Sequence, residues 1–229
     1  MFKLVSMEWK KWGLKKYIRY ATMITMVLFV FLIATAGSAG SDTISMGIQD
    51  RSIINAAVEL YCNLAFIVFI GFMLATFIVG EYEKGTMSIM FSYPIKRKNI
   101  FLAKIGSIVV FGMTTLILSK ILIYVALSII QPLIRIKAED IPLRNPMFWI
   151  DMIVTSVIMV GISFLALPIG LKMKSSKVTL IVSVLIACFS HGNINGYTLT
   201  GKWYYYIFVM LLALALIFLS IRRVENEDV

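Results

Sequence analysis

Residues 60–80 read LYCNLAFIVFIGFMLATFIVG, twenty-one positions without an Asp, Glu, Lys or Arg. About twenty consecutive apolar residues are what a helix needs to cross a bilayer's hydrocarbon core. Working outward by hydropathy, five further apolar segments stand at 18–39, 105–130, 147–170, 178–195 and 204–221. The first of them would cover about 33 Å as a helix. The fifth is the weakest, since its strongly apolar part, 178–189, meets Ser190-His191-Gly192-Asn193. It either continues as a polar-tipped helix or breaks and re-enters, both allowed where protein covers the irregular backbone.

Composition agrees with this reading. Of 229 residues, 60% are hydrophobic and 15% charged, whereas soluble chains run near 45–50% and about 25%. A soluble domain, a collagen, a disordered tail and a disulfide-stapled scaffold are all excluded. Cys62 and Cys188 lie inside apolar runs and say little about redox compartment. The net charge of +10 would suggest nucleic acid in a soluble protein. Here no basic soluble module is left to bind it, and Lys and Arg instead collect in cytoplasmic loops against anionic headgroups.

The basic residues also orient the chain. Six lie in the N-terminal arm, five in the second connection, three in the fourth and two in the tail. The first, third and fifth connections together hold five. The positive-inside rule therefore places both termini in the cytoplasm. Ala34-Thr35-Ala36 has the look of a signal-peptidase site, but the charged arm before that apolar run is about twenty residues long, too long for a signal's opening region. In residues 1–17, Phe2, Val5, Trp9 and Trp12 fall on one side of a helix, with Lys3, Lys10, Lys11 and Lys15 mostly elsewhere. Such an arm is expected to lie in the cytoplasmic interface, with Trp9 and Trp12 as anchors. The fold class expected is all-α: a polytopic membrane protein of six helices forming one domain over residues 1–229.

The functional signal lies in the cytoplasmic connection 81–104. Its Gly80-x4-Gly85 spacing is superficially that of a phosphate-binding loop, but Thr86 stands where that loop needs Lys. No nucleotide site is expected on this chain. The order Glu81, Glu83, Gly85-Thr86-Met87, Pro94, Arg97 and Lys104 instead resembles the coupling region of type-2 ABC exporter permeases. That family shows an acidic residue ending the second span, a Gly-Thr pair, a short helix, a Pro, a basic residue and a Lys opening the third span. The match covers about twenty-five residues locally, and six spans with both ends inside extend it to the whole chain.

The resemblance implies a non-catalytic membrane subunit that docks a separate ATP-binding subunit, two copies per complex. ATP and Mg would be held on that partner, and no cofactor or metal on this chain. It also implies a second permease, identical or paralogous, and a bacterial plasma-membrane location. Small permeases without fused domains are similar to the bacitracin-resistance and lantibiotic-immunity kind, whose cargo is amphipathic peptide antibiotics. Two alternatives stay open: a secondary transporter or channel, and a scaffold or signalling subunit that docks an ATPase without transport.

Local chemistry fits a coupling element. Two carboxylates on a basic face are costly beside anionic lipid and suit a partner's basic groove. Thr86 can cap a helix from Met87 toward Tyr93, which Pro94 ends. An ordinary solvated loop is the competing reading. As cytoplasmic loop residues, Glu81 and Glu83 are expected to tolerate charge reversal without cost to insertion.

Two ions fall within spans. Lys120 lies in the third and Asp151 near the outer start of the fourth. Independent snorkelling, an ion pair and a substrate or proton site compete as readings. His191, the only histidine, reads as a loop residue or a gate. No catalytic triad, paired catalytic carboxylates or metal-ligand cluster is visible, which argues against a membrane hydrolase.

Overall fold

The computed structural model describes residues 9, 13–38, 53–85, 97–134, 145–191, 193–194, 197–198, 207–213, 215–216 and 220. Helix α1 spans Leu14–Ser38 and α2 spans Ile53–Leu74. A π-helical turn, Ala75–Val79, continues α2 into the short helix α3, Gly80–Glu83. Then come α4 (Arg97–Ile134), α5 (Pro146–Ser163), α6 (Ala166–Met173) and α7 (Ser176–His191). A two-residue ladder follows, β1 (Asn193–Ile194) antiparallel to β2 (Tyr197–Thr198), with Asn193 opposite Thr198. Residues 207–213, 215–216 and 220 are helical.

Among the described residues four helices are long and apolar enough to cross a membrane: Lys16–Thr35, Asn55–Glu83, Asn99–Ile130 and Pro146–Met173. The fifth apolar segment is the shorter helix Ser176–His191. It runs unbroken through Ser190 and gives way at His191 to the ladder, ending sooner than the expected limit of 195. The expected interfacial helix lies largely outside the described residues, as does Trp12. Trp9 is helical and half-buried. Residues 86–96, which hold the expected coupling helix with Thr86, Met87 and Pro94, also lie outside them.

Local sequence explains the joints. Asn145 caps α5, its side chain accepting from the Met147 amide at 3.1 Å, with Pro146 at the first helical position. The long fourth segment breaks at Phe164-Leu165 into α5 and α6. Pro168 has no amide hydrogen to give the Phe164 carbonyl and its ring crowds that oxygen, so Leu167 N–H bonds Phe164 at 3.1 Å instead. Lys174 then takes a left-handed conformation (φ 46°) that closes α6 and lets α7 begin two residues later.

Helices α2 and α7 run antiparallel and touch closely. A Cβ on Gly71 would collide with Ser183 of α7, and one on Gly170 of α6 with Thr179. Helix α4 also lies antiparallel to α2: Gly112 rests on Ile70, and Tyr124 hydrogen-bonds Asn55. The largest core cluster gathers Phe66, Ile70, Met73 and Phe77 with Phe101, Ile108, Phe111, Phe164 and Leu167. A second joins Leu32, Val58 and Cys62 to Ile123, Tyr124, Phe148 and Met152. Helix α1 is the least covered, with Met26, Val27 and Val30 each about two-thirds exposed (66–69%). Lipid suits such a face where water does not.

Candidate functional site

The end of the second apolar segment carries the site. Five residues of π-helix insert one more residue per turn than an α-helix, and such turns recur at functional sites. The turn is buried at Ala75, Phe77, Ile78 and Val79, and the Gly80 N–H closes it on the Ala75 carbonyl five residues back. Glu81 and Glu83 follow at once. Two residues apart on a helix they sit on opposite sides, since each residue advances about 100°. They therefore meet different neighbours.

Glu81 turns inward. It is 6% exposed, and its Oε2 lies 2.7 Å from Nζ of Lys104, which is 2% exposed. Lys104 belongs to α4, which begins at Arg97, eight residues ahead of the expected limit of the third span at 105. The pair thus ties α3 to the first turns of α4, joining the bases of the connection between them. Glu81 is a buried ion-pair partner of this same chain, where the sequence suggested a carboxylate suited to a partner's basic groove.

Glu83 turns outward to α7. The Ser176 amide donates to its Oε2 at 2.9 Å and the Ser176 hydroxyl to the same oxygen at 2.6 Å. A helix start leaves amide donors without intrahelical partners and carries positive partial charge, so a carboxylate from another helix is well placed there. Glu83 is exposed and lies past the apolar run that ends at Gly80. The Ser176 hydroxyl bond first, and its amide bond second, hold the carboxyl below the usual carboxylate range. Gly85 then takes a positive φ of 68°, a conformation that suits glycine and ends α3 sharply.

The intramembrane residues form a second group. From the α2–α4 register, Lys120 comes level with Cys62, and it is wholly buried. From the Gly71–Ser183 contact, Asn63 comes level with His191. Asn63, Ser156 and Ser190 are also buried, so a polar layer crosses the bundle here. Asp151 is half-buried, its backbone carbonyl accepting from the Thr155 hydroxyl. Contact between Asp151 and Lys120 is not among those of the described residues. Nor do the described residues hold a cluster of three His, Cys, Asp or Glu fit for a metal.

Ser176 was not legible as a site residue. Its signal is ordinary: Ser175-Ser176 ahead of an apolar run marks a helix start. Nothing in that signal says which carboxylate meets it.

Comparison with known proteins bears on what this arrangement serves. Residues 4–192 match the family described as ABC-2 family transporter protein. The uncharacterized protein YcbO of Bacillus subtilis (strain 168) is 24% identical over 234 residues, covering 98% of this chain and 99% of that one. No solved structure matches the chain.

Proposed function

Because the chain belongs to the ABC-2 transporter family, a multi-pass membrane permease family, we propose that it is the membrane subunit of an ATP-driven exporter. In this reading six spans place both termini in the cytoplasm of a bacterial plasma membrane. Residues 86–96 dock a separate ATP-binding subunit, two of which sit beneath two permease chains. Those partners bind ATP and Mg and carry out hydrolysis, and this chain holds no cofactor of its own. Closure of the ATP-binding pair moves the permeases between inward and outward states, which requires ATP to favour one state over the other. The single observation that carries the reading is the family match over residues 4–192. The buried Glu81–Lys104 pair fits it, since it fixes the bases of the connection so that a force on the loop reaches the spans.

The cargo we assign is amphipathic or hydrophobic, in keeping with a bundle whose outer faces are apolar. Bacitracin and a lantibiotic are the first probes. The chain, co-expressed with ATP-binding-cassette subunits of the same genome, is expected to retain one of them through detergent purification. In vesicles the pair should hydrolyse ATP faster with one of these peptides present. Retention without stimulation by any apolar peptide would favour a docking scaffold. Peptide movement that persists without the ATPase would favour ion-coupled transport.

Topology has its own test. Cysteines replacing Lys3 or Arg222, in a Cys188→Ser background that leaves only the buried Cys62, are expected to resist an impermeant thiol reagent in intact cells. They should react once the membrane is opened. Ready labelling of intact cells would reverse the orientation.

A further inference from the structure

We propose that Glu83 and Ser176 are positioning residues of the coupling machinery, passing the displacement of the loop 86–96 to the start of α7. The inference rests on the docking role assigned above to that loop. Two residues, Lys84 and Gly85, separate Glu83 from the loop. Any pull on its first arm therefore arrives at the single turn of α3. That turn has two grips of different character. Glu81 holds α4 through a buried pair at 2.7 Å, a fixed hinge point. Glu83 holds the Ser176 amide and hydroxyl at 2.9 and 2.6 Å on an exposed surface, where water competes for the same groups.

The geometry around these grips favours transmission. The contact falls on the first residue of α7, so it acts on the helix end and not on its flank. Gly80 brings α3 close to that end, since a Cβ there would come within 3.3 Å of the Ser176 hydroxyl and 3.1 Å of the Ala75 carbonyl. The first half of helix α7 packs closely on its neighbours, Thr179 against Gly170 and Ser183 against Gly71, so a displacement of Ser176 is passed to the contacts with α6 and α2. The helix ends in the polar layer that contains Ser190 and His191.

A native reporter makes this testable. Cys188 is exposed on α7 and Cys62 is buried, so a nitroxide thiol reagent attaches to Cys188. The labelled chain is assembled with its ATP-binding subunit in nanodiscs and its spectrum recorded with and without Mg and a non-hydrolysable ATP analogue. The wild-type chain is expected to show an analogue-dependent change. Glu83→Ala should recover the ATP-binding subunit equally well and start from the same spectrum, yet lose the change. Ser176→Ala, which keeps the amide and loses the hydroxyl bond, should show a reduced change if Glu83→Ala does not fold. Ser176→Thr, which keeps both donors, should retain it. An undiminished change in Glu83→Ala or Ser176→Ala with the ATP-binding subunit bound overturns this inference and leaves the docking reading standing. A wild-type chain that binds no ATP-binding subunit overturns both.

Discussion

Glu81→Lys is expected to lower the yield of folded protein severely, and Lys104→Met to do so nearly as much. Each leaves a buried charge without its partner at a site where Glu81 is 6% and Lys104 2% exposed. Removing one member of a buried pair typically costs about 3–5 kcal/mol, and native stability is only about 5–15 kcal/mol. The lysine substitution is worse, since it sets two ammonium groups where the structure holds one ion pair 2.7 Å across. Exchanging the charges, Glu81→Lys with Lys104→Glu, should recover part of the loss, and a double-mutant cycle should show strong coupling. Replacing both by apolar residues, Glu81→Leu with Lys104→Met, should be tolerated far better than either single change. That last variant separates folding from function: it is expected to insert and fold, but to couple poorly once the loop's arms are no longer pinned. Thermal unfolding in detergent measures the first effect and ATP-dependent transport the second. Wild-type yield and unfolding temperature for Glu81→Lys would mean that the pair does not form.

This outcome is opposite to what the sequence suggests for Glu81, and the reason is physical. Residues 60–80 are apolar on every face, so no helical periodicity tells which way the next residue points. A π turn at Ala75–Val79 then shifts the phase of all that follows, and nothing in ATFIV marks it. The partner was hidden by a boundary. With the third span expected from 105, Lys104 counts as a loop cation, whereas α4 starts at Arg97 and carries Lys104 into the packed interior. Four of the six expected spans were legible because length and apolarity are properties of a segment taken alone: among the described residues four helices are long and apolar enough to cross a membrane, and the fifth segment is a shorter helix. What escaped is pairing between segments. For Lys120 and Asp151 depth alone left snorkelling, an ion pair and a substrate or proton site open, and only the register of α4 on α2 sets Lys120 level with Cys62. Ser176 escaped for the same cause, since a helix start names its donors and not the acceptor that another helix brings.

Gly71→Ala is expected to loosen the contact of α2 with α7, although it adds one methyl group. The added Cβ would overlap both the Cβ and the hydroxyl of Ser183. Those atoms stand next to the α7 backbone and cannot swing aside as the tip of a long side chain would. The helices must separate instead, and overpacking of this kind costs about 1–3 kcal/mol. Gly71→Leu should cost more and prevent close packing altogether. Small residues at such positions let membrane helices approach closely enough for dispersion contacts, the main attraction left where lipid removes the hydrophobic drive. Ser183→Gly should relieve the overlap, because the Ser183 hydroxyl donates to Leu180 of its own helix at 2.7 Å and bridges nothing across the interface. That second change has its own cost of about 0.5–1 kcal/mol for a glycine inside a helix. The pair Gly71→Ala with Ser183→Gly is thus expected to be more stable than the sum of its single effects predicts, by about 1 kcal/mol or more for residues in contact. A cycle on Gly170 and Thr179 should behave alike at the α6–α7 contact. Strictly additive effects at Gly71 and Ser183, with Gly71→Ala as stable as the wild type, would show that α2 and α7 are not in contact at this level. The displacement assigned to Ser176 would then have no packed helix along which to travel.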